Sequence, residues 1–247
     1  MKRIVAFHLL LVLALTAVGQ AKNGSAKLIR DLAVQVDGKL AEWDGHWHTV
    51  GDQDALWSYA VTYDDQHLFV ATKVIEPALQ LEAAAHGVAI MINNQGKKKH
   101  GMQFIFPVPD AETIRSMLES GDFSATHVKT ALIEGSRGYK VKDFPKIVDG
   151  MLSLRNSYGL HAIAKIDDSD HLLYESAIPL AQLGLVEGEN TIAIQIALQN
   201  RWDIGAMSKA RPQQRTLSPN KGTARVKSPY KGNTSVWIVD KIQVKKD

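Results

Sequence analysis

Residues 34–74 read VQVDGKLAEWDGHWHTVGDQDALWSYAVTYDDQHLFVATKV. Residues 32–36 predict a short strand that runs into a turn at Asp37-Gly38. Gly tolerates positive φ there, and Asp can bond the backbone ahead of it. A helical turn near Glu42, then Trp43 and a loop through residue 54, follow. Trp57, Tyr59, Val61 and Tyr63 fall at alternate positions, the strand period with one face of large residues. Asp64-Asp65 opens a turn, residues 68–74 return as a second strand, and Pro77 is expected to end it.

The pattern continues outward. Residues 88–92 are apolar throughout, which predicts a central strand covered on both faces; residues 93–100 form a hairpin loop and residues 102–106 its partner strand. Pro107 and Pro109 break the sheet, and Asp110 caps a helix over about residues 111–119, with Gly121 past its end. Further strands are expected at residues 127–133, 151–155, 161–166 and 172–178, and a helical turn at 179–184. Ile192, Ile194, Ile196 and Leu198 share one face of a strand, opposite Ala193, Gln195, Ala197 and Gln199. Residues 235–244 return to strand pattern and are expected to pair far back in the sequence. Many short strands, Gly/Pro turns and a single helix predict an all-β fold. It is a two-sheet antiparallel β-sandwich of jelly-roll or immunoglobulin type with one short inserted helix.

Lys2 and Arg3, the apolar run over residues 4–18, and small residues at Gly19 and Ala21 predict a signal peptide over residues 1–21. The run of 15 residues is shorter than a membrane-crossing helix requires, so no transmembrane span is expected in the mature chain, which is exported to the periplasm or beyond. Residues 22–31 are read as a flexible segment and residues 32–247 as one domain, with a basic mobile loop at about 204–233. The absence of cysteine excludes disulfides, a thiol nucleophile, a thiolate metal site and a lipid-modified cysteine. The formal net charge is +3, but no acidic residue lies between Asp203 and Asp240. That interval holds Lys209, Arg211, Arg215, Lys221, Arg225, Lys227 and Lys231, which could contact an anionic envelope surface or polysaccharide. Only Tyr230 is interleaved in the loop as an aromatic, and together with export this argues against nucleic acid.

Three motifs recur in a known order. They are Val36-Asp37-Gly38-Lys39-Leu40 through Glu42-Trp43, then Ala60-Val61-Thr62-Tyr63-Asp64-Asp65 with Leu68-Phe69-Val70-Ala71, then Tyr174-Glu175-Ser176-Ala177-Ile178-Pro179-Leu180 with Leu183-Gly184-Leu185 and the strand after Gly188. Together, over about residues 32–200, they resemble family 9 carbohydrate-binding modules and their relatives in the DOMON-like superfamily. The resemblance implies a β-sandwich that binds sugars, often with bound calcium; some superfamily relatives bind haem instead. The family's aromatic sugar clamp has no matching signature in this chain. Trp47, Trp57 and Trp202 lie in or beside loops and are the candidate ligand-binding residues, since a flat ring suits the C–H face of a sugar. The competing reading packs all three against the sandwich edge.

Asp37, Asp44, Asp64 and Asp65 are candidate calcium ligands, although no EF-hand spacing is present. His46 and His48 flank Trp47 and, with Asp44, could hold a transition metal. Haem would need an axial pair from Met91, Met102, His161 and His171, which no local motif joins. No Gly-x-Ser-x-Gly, phosphate loop or dinucleotide fingerprint is present, and Glu175 is expected to face solvent or a salt bridge. The reading is therefore an exported non-enzymatic binding module for carbohydrate or a carbohydrate-like ligand. The alternatives are an envelope structural or interaction protein without a sugar site, and a haem-binding domain.

Overall fold

The computed structural model describes residues 26–51, 54–119, 126–201, 228–230 and 232–245. In chain order the strands are β1 (Ile29–Arg30), β2 (His48–Val50), β3 (Trp57–Tyr63), β4 (His67–Val74), β5 (Val88–Asn93), β6 (Met102–Phe106), β7 (Gly138–Lys142), β8 (Gly150–Ser153), β9 (His161–Ile166), β10 (Leu172–Pro179), β11 (Gly188–Leu198) and β12 (Ser235–Val244). They form two six-stranded sheets. Sheet A runs β1-β3-β4-β10-β9, with β2 also on β3; sheet B runs β12-β11-β5-β6-β7-β8. Every pairing is antiparallel except the short parallel contact of β1 with β3.

Alternation decides which side chains meet. Trp57, Tyr59, Val61 and Tyr63 of β3 face inward with Leu68, Val70 and Val74 of β4. They pack on Val88, Ile90 and Ile92 of β5, Phe104 of β6, and Ile192, Ile194 and Ile196 of β11. This is the two-sheet sandwich that the period-two segments predict. The terminal strand pairs back across residues 204–233: β12 lies on β11, with Ala197 opposite Ser235 and Gly188 opposite Val244.

Among the described residues there are three α-helices where the sequence predicts one. The helix at Ala111–Glu119 (α2) matches its prediction, and Asp110 Oδ1 accepts the Thr113 N–H at 2.8 Å as an N-terminal cap. Pro77 does not merely end β4; it opens α1 (Pro77–His86), where its missing N–H costs nothing. The expected strand at 127–133 is instead α3 (Thr126–Glu134). Val128 and Leu132 sit one helical turn apart and are buried, so packing overrides the strand propensity of Val, Thr and Ile. Lys129 is also fully buried; its Nζ donates to Gln80 Oε1 of α1 at 2.6 Å and to Asp170 Oδ2 at 2.7 Å. Gln80 in turn donates to the carbonyls of Val74 and Ile75. The helices are thus tied to sheet A through one satisfied polar chain.

The outer face of sheet A is covered by the chain's own opening stretch. Residues 32–36 form no strand; Leu32, Val34 and Val36 cross the sheet and, with Leu40 and Trp47, pack on Trp43, Ala60, Phe69, Ala71 and Ala177. The sheet face is apolar, so alternating apolar side chains serve better as a cover than as another edge strand. Glu175 fixes this cover. It is fully buried rather than solvent-facing: Trp43 Nε1 donates to Oε1 at 2.8 Å, and the Gly38 and Asp37 amides donate to Oε2 at 2.7 and 3.2 Å. Burial pushes the Glu175 carboxyl up, while the bonds from Trp43, Gly38 and Asp37 oppose that rise. Gly38 has φ +77°, which L side chains rarely adopt, and an added Cβ would crowd the Ile163 and Lys165 side chains at 3.2 Å, so glycine suits the turn that aims this amide at Glu175.

Two predictions follow from these buried groups. Glu175→Leu strands the Trp43 and Gly38 N–H groups, and should lower the unfolding free energy in urea by about 2–5 kcal/mol. Limited proteolysis should then cut within residues 32–47 before the core opens; an unchanged urea midpoint would refute the assignment. The bonds from Lys129 and Thr126 hold the Asp170 carboxyl below its ordinary value of 3.8. A depressed pKa gives stability that is present above the unfolded value and lost as pH falls through the folded one. Thermal melts below pH 3.8 should therefore fall less steeply in Asp170→Asn than in the wild type.

Candidate functional site

Among the described residues, the sequence-nominated side chains do not form one site. Trp57 is fully buried in the core and its Nε1 donates to the Asn233 carbonyl at 2.8 Å, so it is no ligand platform. Its place in the Trp57/Tyr59/Val61/Tyr63 alternation sends it inward. Trp47 is half-buried on the other side of sheet A, with its ring 6.5 Å from that of Trp43. Trp202 lies outside the described residues, as do Lys209, Arg211, Arg215, Lys221, Arg225, Lys227, Lys231 and the expected signal peptide.

Among the described residues no three His, Asp or Glu side chains gather as a metal-ligand set. The nominated acids have local work. Asp37 accepts the Lys39 N–H at 2.7 Å, Asp64 accepts the Gln66 and His67 N–H groups, and Asp65 pairs with Arg30 and Lys245. Asp44 is exposed, His46 is half-buried, and the His48 ring lies 5.3 Å from that of Tyr59. Of the residues considered for haem, Met102 packs in the core, Met91 lies outside the core clusters, and His161 and His171 are exposed or half-buried near sheet A.

The outer face of sheet B carries a different constellation. The ladder puts Trp237 opposite Gln195, Gln195 opposite Met91, Met91 opposite Gln103, and Gln103 opposite Lys142. Residues directly opposite on neighbouring strands project to the same face. Their neighbours in sequence, Ile238, Ile196, Ile90, Ile92, Phe104 and Val141, point into the core, so this row points out. Trp237, Gln195, Met91 and Gln103 are all partly exposed, and Lys142 is exposed. Four strand spacings of about 4.8 Å place Trp237 and Lys142 about 19 Å apart. The row presents one indole, two amides, one thioether and one ammonium along a sheet that fixes their spacing.

Trp237 escapes a reading that seeks aromatics in loops. The available signal is its phase: in residues 235–244 it alternates with Ile238 and Ile242, the buried positions, and so must face away from the core.

A second concavity, about 210 Å³, lies among the three helices and is lined by Leu81, Ile114, Met117 and Leu132. The polar groups at its rim are already engaged: the Glu82 carboxylate accepts the Arg201 N–H at 2.8 Å and pairs with the Arg201 guanidinium, and His86 Nε2 is 3.5 Å away. Burial lowers the His86 pKa and favours its neutral form. Among the described residues no helix is long and apolar enough to cross a membrane.

No protein-family model and no curated protein matches the chain. Among solved structures it is similar to a family 9 carbohydrate-binding module from Caldicellulosiruptor kristjanssonii in complex with glucose, at 11% identity and a TM-score of 0.37. It is likewise similar to that module in complex with cellotriose, at 10% identity and the same TM-score. Each alignment covers 71% of this chain and 78% of the other. At that distance the ligand must be argued from this chain's own residues.

The two tryptophans should respond oppositely to truncation. Trp57→Ala empties a core site and should cost about 3–5 kcal/mol in chemical denaturation. Trp237→Ala removes an outward side chain and should cost less than about 1 kcal/mol. Comparable losses would contradict the inward and outward assignments.

Proposed function

We propose that this chain is a non-catalytic glycan-binding module that lays a linear sugar across the outer face of sheet B. The observation that supports it is the register of Trp237, Gln195, Met91 and Gln103 on one partly exposed row. An indole face packs on the C–H face of a pyranose, and amide groups beside it both donate to and accept from hydroxyls. Met91 supplies apolar contact between the two amides. An open sheet suits an extended ligand, because successive strands offer repeated contacts along it.

A hydrolytic reading lacks its groups at this place. Glycoside hydrolysis uses two carboxyl groups flanking the bond, and this row of five residues contains none. Export, if the leader functions as its sequence predicts, would bring the module to envelope or extracellular glycans.

Calorimetric titration with neutral oligosaccharides of one to five units tests the proposal. Affinity should rise with length and level off near the span of the row. Trp237→Ala should weaken the best ligand tenfold or more, a loss of about 1.4 kcal/mol. Equal affinity for the wild type and Trp237→Ala would refute this use of the face.

A further inference from the structure

The row is charged at one end. Lys142 stands opposite Gln103, and Lys140 projects from the same side of β7, opposite Ile105; both lysines are exposed. The β5–β6 hairpin adds Lys97, Lys98, Lys99 and His100, all exposed. This hairpin is built rather than loose. Asn93 Oδ1 accepts the Gln95 and Lys97 N–H groups, each at 3.1 Å, and Asn93 Nδ2 donates to the His100 carbonyl at 2.9 Å. His100 and Gly101 share a surface concavity of about 160 Å³ with Asp143 and Pro145, the residues just past β7. The hairpin and the end of β7 are therefore one surface.

The acids there do not balance these cations. Asp143 lies 3.5 Å from Lys142, and Asp149 accepts the Asp143 N–H. Among the described residues Lys97, Lys98, Lys99 and Lys140 make no ion pair. At the β11–β12 end of the sheet, by contrast, Lys241 is held by Glu189 at 2.7 Å. The tryptophan end is thus aromatic with its nearby lysine paired, while at the β7 end Lys142 is paired with Asp143 and the lysines at 97, 98, 99 and 140 leave an excess of positive charge.

We propose that the platform selects anionic glycans, with a carboxylate- or sulfate-bearing unit at the Lys140/Lys142 end and a sugar ring on Trp237. This rests on the sheet face being a glycan platform. Each exposed lysine–anion contact is weak and screened by salt. Several acting on one bound sugar give a preference that grows at low ionic strength, while the aromatic contact does not depend on salt.

The test is titration of the full chain with three pentasaccharides, long enough to span the row: neutral, one bearing a terminal uronate and one bearing a terminal sulfate, with inorganic polyphosphate as a charged non-sugar. The expected result is at least tenfold tighter binding of an anionic pentasaccharide than the neutral one at low salt. That advantage should shrink to less than threefold in 0.5 M salt and in Lys140→Gln/Lys142→Gln. A gain confined to the uronate assigns a carboxylate, and one confined to the sulfated sugar assigns a sulfate ester. Equal binding of neutral and anionic sugars, with Trp237→Ala still damaging, overturns this inference and leaves the glycan reading standing. Failure of every sugar to bind overturns both. Polyphosphate binding as tightly as the anionic sugars, with Trp237→Ala harmless, overturns the inference in favour of plain charge attraction.

Discussion

Glu175 accepts N–H bonds from Trp43, Gly38 and Asp37, all in a segment more than a hundred positions earlier in the chain. A buried carboxylate is expensive unless hydrogen-bonded, and this one is bonded on both oxygens. The cost of leaving those donors and that charge unpaired makes the arrangement all-or-none. It holds Trp43 against Ala60, Phe69, Ala71 and Ala177, and with it the cover of Leu32, Val34 and Val36. Sheet A is therefore closed on both faces, inward by the core and outward by its own N-terminal segment.

That closure creates the asymmetry on which the functional reading depends. With sheet A covered, the outer face of sheet B is the broad sheet surface carrying partly exposed Trp237, Met91, Gln195 and Gln103. The helices do not compete for this role. α1 packs on β11 as well as β4 and α3 packs on β9, with Lys129, Gln80 and Asp170 joining α1 and α3, and the cavity among the helices is rimmed by groups that already satisfy each other. A rigid ladder then spaces the aromatic, amide and ammonium groups without any loop having to order on binding.

Much of the scaffold was legible because local pattern and burial agreed. The Trp57/Tyr59/Val61/Tyr63 alternation, the isoleucines of β11 and the Asp110 cap each describe what the structure contains. The failures share a cause: long-range packing. Lys129 looks like a solvent residue until α1 brings Gln80 to it, so α3 reads as strand. Leu32, Val34 and Val36 alternate like a strand, yet they alternate because they cover one. Glu175 reads as a surface carboxylate because its donors lie far away in sequence. The functional residues were the least legible. Trp57 carries the aromatic signal but points inward, whereas Trp237 is significant only once cross-strand register sets Gln195, Met91 and Gln103 beside it.

The central claim is that ligand meets the protein at Trp237 and not at Trp43, Trp47 or Trp57. Indole N–H resonances report this directly in a two-dimensional NMR titration with a bound oligosaccharide. The account predicts that the Trp237 signal moves with ligand concentration, together with the side-chain amides of Gln195 and Gln103, while the Trp43 and Trp57 signals, whose N–H groups are tied to Glu175 and Asn233, stay in place. Movement of the Trp47 signal with Trp237 unmoved would place the ligand on the opposite sheet and contradict the account.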